Sequence, residues 1–241
     1  MSDIQQARVE LLSPEQIEER LRVRSVVYIP LGTLEFHGPH LPVGLDALTA
    51  HRVCLEAAGL GGGVVLPPVY QGIGGGHLEY RWTIMMSAGD GLRAHIETTL
   101  HRLQELGVVR AVLFSGHFAP EQVELIDLIE RDWNTAAHRL SVIATAVDRC
   151  PDASLLPDHA GIFETTLLAG IAPDLVHLDR LPPIDTHPGS DPGGNPFGAH
   201  RHEPGHPLQG VFGPDPRKAD LSAGPGLLRE IGSWLAGRAS E

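Results

Sequence analysis

Only two cysteines, Cys54 and Cys150, occur in 241 residues, too few for a disulfide framework or a cysteine-rich zinc site and in keeping with a reducing compartment. Basic charge is also scarce: 18 Lys and Arg stand against 30 Asp and Glu, for a net charge of −12 with histidines neutral. No basic run with interleaved aromatics appears, so nucleic acid and anionic membranes are not the expected partners, and a small molecule or another protein is. Long apolar segments and a basic-then-apolar leader are missing too, which predicts a cytoplasmic protein with no membrane span. Histidine, by contrast, is plentiful at 14 residues; it is the commonest metal ligand and titrates near neutral pH. A hydrophobic content of 42 % can bury a substantial core, and one domain over 1–241 is expected.

Along the chain, short apolar runs alternate with amphipathic segments. "SPEQIEERLR" (13–22) carries Ser13 as N-cap, Pro14 at the first helical position and Gln16 in capping-box register. Strands are predicted at 25–31, 62–70, 109–117 and 140–147, and helices at 47–60, 91–107, 120–134, 159–171 and 222–237. Gly107 should end the third helix. This alternation predicts an α/β layered domain with a mostly parallel central sheet. Ligands bind such sheets at the carboxyl ends of the strands. Residues 185–216, rich in Pro, Gly and His, are too broken for regular structure and predict a long ordered loop or an arm at a subunit contact.

The chemistry concentrates at those strand ends. "EFHGPHLPVGLD" (35–46) follows the first strand, His117 the third, and 158–165 the fourth. Glu35 and His37, two apart in an extended segment, point to one side, and Asp46 returns after a Gly- and Pro-bent loop. Carboxylate, imidazole and carboxylate suit zinc, manganese or iron(II), and an aspartate can bridge a pair of such ions. His117 can add a second imidazole. Two divalent ions about 3.5 Å apart would polarise a carbonyl and acidify a water. Singly, these residues also suit ordinary roles, Asp46 as a helix N-cap and the histidines as polar packing.

"PLGTLEFHGPHLPVGLD" (30–46) resembles the signature of the creatininase (creatinine amidohydrolase) family. Four further stretches are similar to later family blocks and occur in the same order: "HLEYRWTIMM" (77–86), "SGH" (115–117), "HAGIFETTLL" (159–168) and "GVFGPDPRKAD" (210–220). The resemblance implies a three-layer α/β/α fold, a homohexamer, and two divalent metals that hydrolyse cyclic amides or related C–N bonds. By position it makes Glu35 and His117 ligands of one ion, His37 a ligand of the other, and Asp46 the bridge. Creatininase completes its second site with a glutamate two residues after the third-block histidine, where this chain has Ala119; Glu164 is the expected replacement, with Glu121 an alternative ligand or base. His159 matches the position that serves proton transfer to the leaving nitrogen. His40 is expected to orient a ligand or the loop, and His77 and Phe118 to line the pocket.

The departures from the family pattern lie in the walls. Ser115 replaces an asparagine, Phe118-Ala119-Pro120 replace a small or polar loop, Phe36 stands for glutamine, Ile162 for glutamate, and Arg81-Trp82 for Pro-Gly. No aromatic occurs in "DRCPDASLLPDHAG" (148–161), where creatininase carries the aromatic loop that closes over creatinine. Creatinine is therefore not the expected substrate. Other members deformylate a nucleotide precursor, trim a peptide, or open oxidised cyclitols or sugars, and a member kept only for binding a metal is a further alternative.

Overall fold

In a computed structural model, which describes residues 5–241, four parallel strands form one sheet in the order β2-β1-β3-β4. The strands are β1 (Val26–Leu31), β2 (Val64–Val65), β3 (Arg110–Ser115) and β4 (Ser141–Ala146). β1 is buried along its whole length because helices cover both faces, which is why it reads as an unbroken apolar run. Val26 and Tyr28 pack with Val112 and Phe114 against α2 (Leu45–Gly61), α5 (Ile162–Ile171) and α6 (Gly224–Arg238). Val27, Ile29 and Leu31 face the other way, onto α3 (Asp90–Glu105) and α4 (Pro120–Thr135). The result is the expected three-layer α/β/α arrangement.

Local signals explain most boundaries. α1 (Pro14–Val23) has the full capping box, an N-terminal arrangement worth about 1 kcal/mol. Gly107, at φ 81°, follows α3 and its N–H bonds to the Gln104 carbonyl. β2 is much shorter than 62–70, because Pro67 and Pro68 cannot donate to a ladder, and pairing resumes only as an isolated bridge between Leu31 and Val69. That shortness also accommodates Pro30 in a central strand. Even-numbered residues of β1 direct their backbone groups toward β2, as Leu66 N–H to Tyr28 O and Val69 N–H to Pro30 O show, so the N–H that Pro30 lacks would face the side where β2 has already ended.

The topology fixes where a site can form. From β1 the chain crosses to β2 on one side, and β3 and β4 lie on the other, so the sheet order reverses between β1 and β3. Leu31 pairs with Ser115, so both strands end level. Gly32 and Gly116 follow immediately, and a Cβ on either would lie 2.2 Å from Ala47 N or 2.1 Å from Asp46 O. Only glycine at both positions lets the first turn of α2 press into that crevice. Asp46 thus sits inside the first helical turn, after the Gly44 cap, rather than capping the helix itself.

Candidate active site

Glu35, Phe36 and His37 leave β1 as an extended segment docked on residues 83–84. Ile84 N–H bonds Leu34 O at 2.8 Å, and Phe36 N–H bonds Thr83 Oγ1 at 3.0 Å. The period-two alternation follows: Glu35 and His37 turn inward and are fully buried, while Phe36 turns out and stacks on Tyr80 at 4.8 Å. His117 enters from the end of β3, Asp46 from α2 and Glu164 from the first turn of α5. Asp158 holds that helix start by accepting from the N–H groups of Gly161 and Phe163, both at 3.0 Å. Ala160, at φ 58°, donates its N–H to Glu164 Oε2 at 2.6 Å, drawing the carboxylate back over the turn.

These side chains meet at ligand-like spacings. His117 Nδ1 lies 3.0 Å from Glu35 Oε2 and 3.2 Å from Asp46 Oδ2. His37 Nε2 lies 3.1 Å from Asp46 Oδ1 and 3.6 Å from Glu164 Oε2. Donors around a tetrahedral zinc with bonds near 2 Å are separated by about 3.3 Å. Both imidazoles are oriented from behind, His117 by donating Nε2–H to Ile73 O at 3.0 Å and His37 by donating Nδ1–H to Glu35 O at 2.9 Å. Backbone carbonyls thus fix the tautomers that turn the other ring nitrogen toward the carboxylates, a usual metal-ligand arrangement.

The protein's own groups do not satisfy this cluster. His37 Nε2 and Asp46 Oδ2 are buried without an aligned hydrogen-bond partner, despite the short contacts above. Among the described residues, no Lys or Arg pairs with Glu35, Asp46 or Glu164. Positive charge comes instead from protons. Burial opposes a charge on His37, but Asp46 and then Glu164 overcome it and raise its pKa to about 10. His117 is raised well above its ordinary value in the same way, by Asp46 and Glu35 against burial. Burial would raise Glu35, yet hydrogen bonds from His117 and His77 hold it well below the usual range; Glu164, where burial prevails, is pushed well above it. A set of three acids and two histidines that must borrow protons to stay neutral fits divalent cations, which bind the same groups and release those protons.

The remaining predicted residues fall around this cluster. His77, His159, Phe118, Ala119, Pro120 and Gly75 line a cavity of about 260 Å³ with the acids. His77 Nδ1 donates to Glu35 Oε1. His159 Nε2–H donates to Phe36 O at 3.0 Å, its ring stacks 4.4 Å from that of His37, and burial, then His37, pushes its pKa down to about 3. His40 is buried outside the cavity lining; its Nε2 meets Thr165 Oγ1 at 3.2 Å, docking the 38–43 loop on α5. Glu121 is exposed on α4, packed against Gly74 and not part of the lining. The long loop folds onto its own chain: His202 Nδ1 lies 3.0 Å from both Tyr80 Oη and Glu79 Oε1, and Phe212 stacks on His77 at 5.3 Å.

Sequence reasoning missed the braces behind the ligands. Gln122, Ile73 and the aromatic packing of Tyr80 and Phe212 are examples. A buried glutamine inside an amphipathic helix carries no motif, although the rest of its face is apolar.

The chain is similar to known proteins in both sequence and fold. The sequence model of the creatininase family, described as creatinine amidohydrolase, matches residues 10–237. The creatinine amidohydrolase of Pseudomonas putida is 30 % identical over 192 residues, covering 68 % of this chain and 74 % of that protein. The mycofactocin precursor peptide peptidase of Mycolicibacterium smegmatis is 30 % identical over 162 residues, 65 % of this chain and 62 % of that relative. A crystal structure of creatininase superposes with a TM-score of 0.75 at 26 % identity, covering 96 % of this chain and 95 % of the other. A glutamate-to-glutamine creatininase variant of Zn-Zn type does so with a TM-score of 0.73 at 25 % identity, covering 96 % of each chain.

Proposed function

Because the chain belongs to the creatininase (creatinine amidohydrolase) family, we propose that it hydrolyses a C–N bond of a small cyclic amide or related molecule with the help of two divalent cations, zinc, manganese or iron(II). In this reading Glu35 and His117 would hold one ion, His37 and Glu164 would hold the other, and Asp46 would be shared between them. The observation that carries it is the sharing of Asp46, whose Oδ2 faces His117 Nδ1 at 3.2 Å while Oδ1 faces His37 Nε2 at 3.1 Å. When bound, such ions polarise a carbonyl and lower the pKa of a water.

The chain's own groups handle protons and orientation. With Nε2–H of His159 committed to Phe36 O, Nδ1 is the atom that takes the proton released as water adds to the substrate carbonyl. Burial keeps the ring neutral at the outset, and the same atom returns the proton to the departing nitrogen. His77 holds Glu35 through Oε1, leaving Oε2 toward His117. Glu164 ties the cluster to the 159–161 turn through Ala160 N–H, so His159 and the acids keep a fixed relation.

A cavity of about 260 Å³ suits a small substrate, and its lining contains no Lys or Arg to anchor a phosphate. Phe118, Ala119 and Pro120 give it an apolar wall without a hydrogen-bonding side chain, which disfavours creatinine itself. A short peptide is the second reading, favoured by the similarity to the mycofactocin precursor peptide peptidase.

The test is metal content per chain by mass spectrometry, for wild type and Asp46→Ala, followed by screening cyclic amides and short peptides for a new carboxylate. Near two equivalents in the wild type, largely lost in the variant, is expected. A stable wild type that takes up no divalent metal would sink the proposal.

A further inference from the structure

Gln122 is the third residue of α4, and its side chain is fully buried. It is not part of the cavity lining, yet both of its side-chain hydrogen bonds lead, through one further residue, to His117. Its Oε1 accepts the N–H of Ile73 at 3.0 Å, and its Nε2 donates to Ser115 Oγ at 2.8 Å. Because the backbone N–H can only donate, the atom facing it must be the oxygen, and the carboxamide orientation is fixed.

Both arms end on His117. Ser115 donates its hydroxyl hydrogen to the His117 carbonyl, which sets the backbone of the residue. Ile73, held at its N–H by Gln122, offers its carbonyl to His117 Nε2–H at 3.0 Å, which sets the ring. A Cβ on Gly72 would lie 2.5 Å from Gln122 Oε1, so the 72–75 turn is built directly against the amide. With Nε2 committed to Ile73 O, Nδ1 is the atom set between Glu35 Oε2 and Asp46 Oδ2, and it would offer its lone pair to a cation that displaces its proton.

We propose that Gln122 is a positioning residue for the cation site: through Ile73 and Ser115 it fixes the tautomer and rotation of His117, and so sets the affinity of the half of the site formed by Glu35, Asp46 and His117. This rests on the two-cation reading above. Partners one step behind a metal ligand typically govern affinity by about 10- to 100-fold. The half formed by His37, Asp46 and Glu164 has its own brace, Glu35 O on His37 Nδ1, and is independent of Gln122.

The experiment is competition of zinc and of manganese against a chromophoric chelator, on the full chain, for wild type, Gln122→Met and Ser115→Ala, with urea unfolding of each protein stripped of metal. Gln122→Met fills the same space and removes both arms; Ser115→Ala cuts only the arm to the His117 carbonyl and covers the case in which the first variant does not fold. The expected result is two binding steps in wild type, of which one weakens by about 10- to 100-fold in Gln122→Met and less in Ser115→Ala, while the other is unchanged. The Nε2–H cross-peak of His117 in a proton–nitrogen spectrum should be lost or broadened in the same order. Two unchanged steps, or equal weakening of both in proportion to lost stability, would overturn the proposal. A wild type that binds neither metal defeats the two-cation reading first, and this inference with it.

Discussion

Among the described residues, acid and histidine meet in two compact clusters, and these resolve their charge in opposite ways. At the strand ends, Glu35, His37, Asp46, His117 and Glu164 meet with no Lys or Arg among the described residues pairing with any of the acids. In the 185–216 loop, Asp191, His200 and His206 also bring ligand atoms within 4.8 Å of one another. There, however, Arg201 lies fully buried and grips both oxygens of Asp191, Nε at 2.7 Å and Nη2 at 2.9 Å, while Nη1 reaches Val211 O at 3.0 Å. A guanidinium already supplies the cation, permanently and bidentately. Proximity of ligand-type residues is therefore not enough; what separates a candidate metal site from a structural knot is whether the protein has spent a fixed positive charge on it.

The largest effect should come from Asp46→Asn. It removes the charge shared by both halves of the strand-end cluster, and turnover should fall by about 10³-fold, since cation-assisted stabilisation is worth several kcal/mol. Metal-free stability should change little, because His37 and His117 can shed the protons that Asp46 no longer balances. Steady-state rates and urea unfolding in chelator check the two halves of this expectation.

Asp191→Asn should show the reverse pattern. Arginine cannot shed its proton, so the variant leaves a buried guanidinium without its counterion and should cost about 3 kcal/mol of stability. Bound metal and turnover of the folded fraction should stay as in wild type. Equal stability losses in the two variants would erase the distinction between the clusters.

That distinction was only half legible in the sequence. The spacing of Glu35, His37 and Asp46 and the placement of His117 and Glu164 after apolar runs pointed to one focus, because a parallel sheet delivers its strand ends to one edge. The layered fold was legible for the same reason, as alternating runs buried on both faces. Arg201 could not be recognised, since a basic residue in a Pro- and Gly-rich loop reads as solvated until the fold buries it. Gln122 was hidden likewise: its role depends on Ile73, 49 residues earlier, meeting it across the sheet edge. The 62–70 run reads as one strand because its apolar content outweighs Pro67 and Pro68, whose missing N–H groups end the pairing at Val65.

Acid sharpens the comparison with a smaller effect. Hydrogen bonds from Arg201 hold Asp191 down to about 2 from its ordinary 3.8. A depressed carboxylate contributes stability above its unfolded value and loses it as pH falls through its folded one. The stability gap between wild type and Asp191→Asn, measured in chelator, should therefore be constant from neutral pH to about 4 and close progressively toward pH 2.

The smallest effect is expected where a composition-based reading would look for the largest, in the histidines of the loop. His206 Nδ1 accepts Leu208 N–H at 3.1 Å, so in its neutral form the ring carries its proton on Nε2 and has no lone pair left for a cation. His200 donates Nε2–H to Asp191 at 2.9 Å, an oxygen that Arg201 also holds. Replacing both by alanine should leave the zinc stoichiometry and the affinities from chelator competition unchanged, and shift stability by no more than about 2 kcal/mol, the net worth of the two hydrogen bonds lost. A lost equivalent of zinc in the double variant would mean that the loop binds a cation despite its arginine, and that a fixed charge does not separate the two clusters after all.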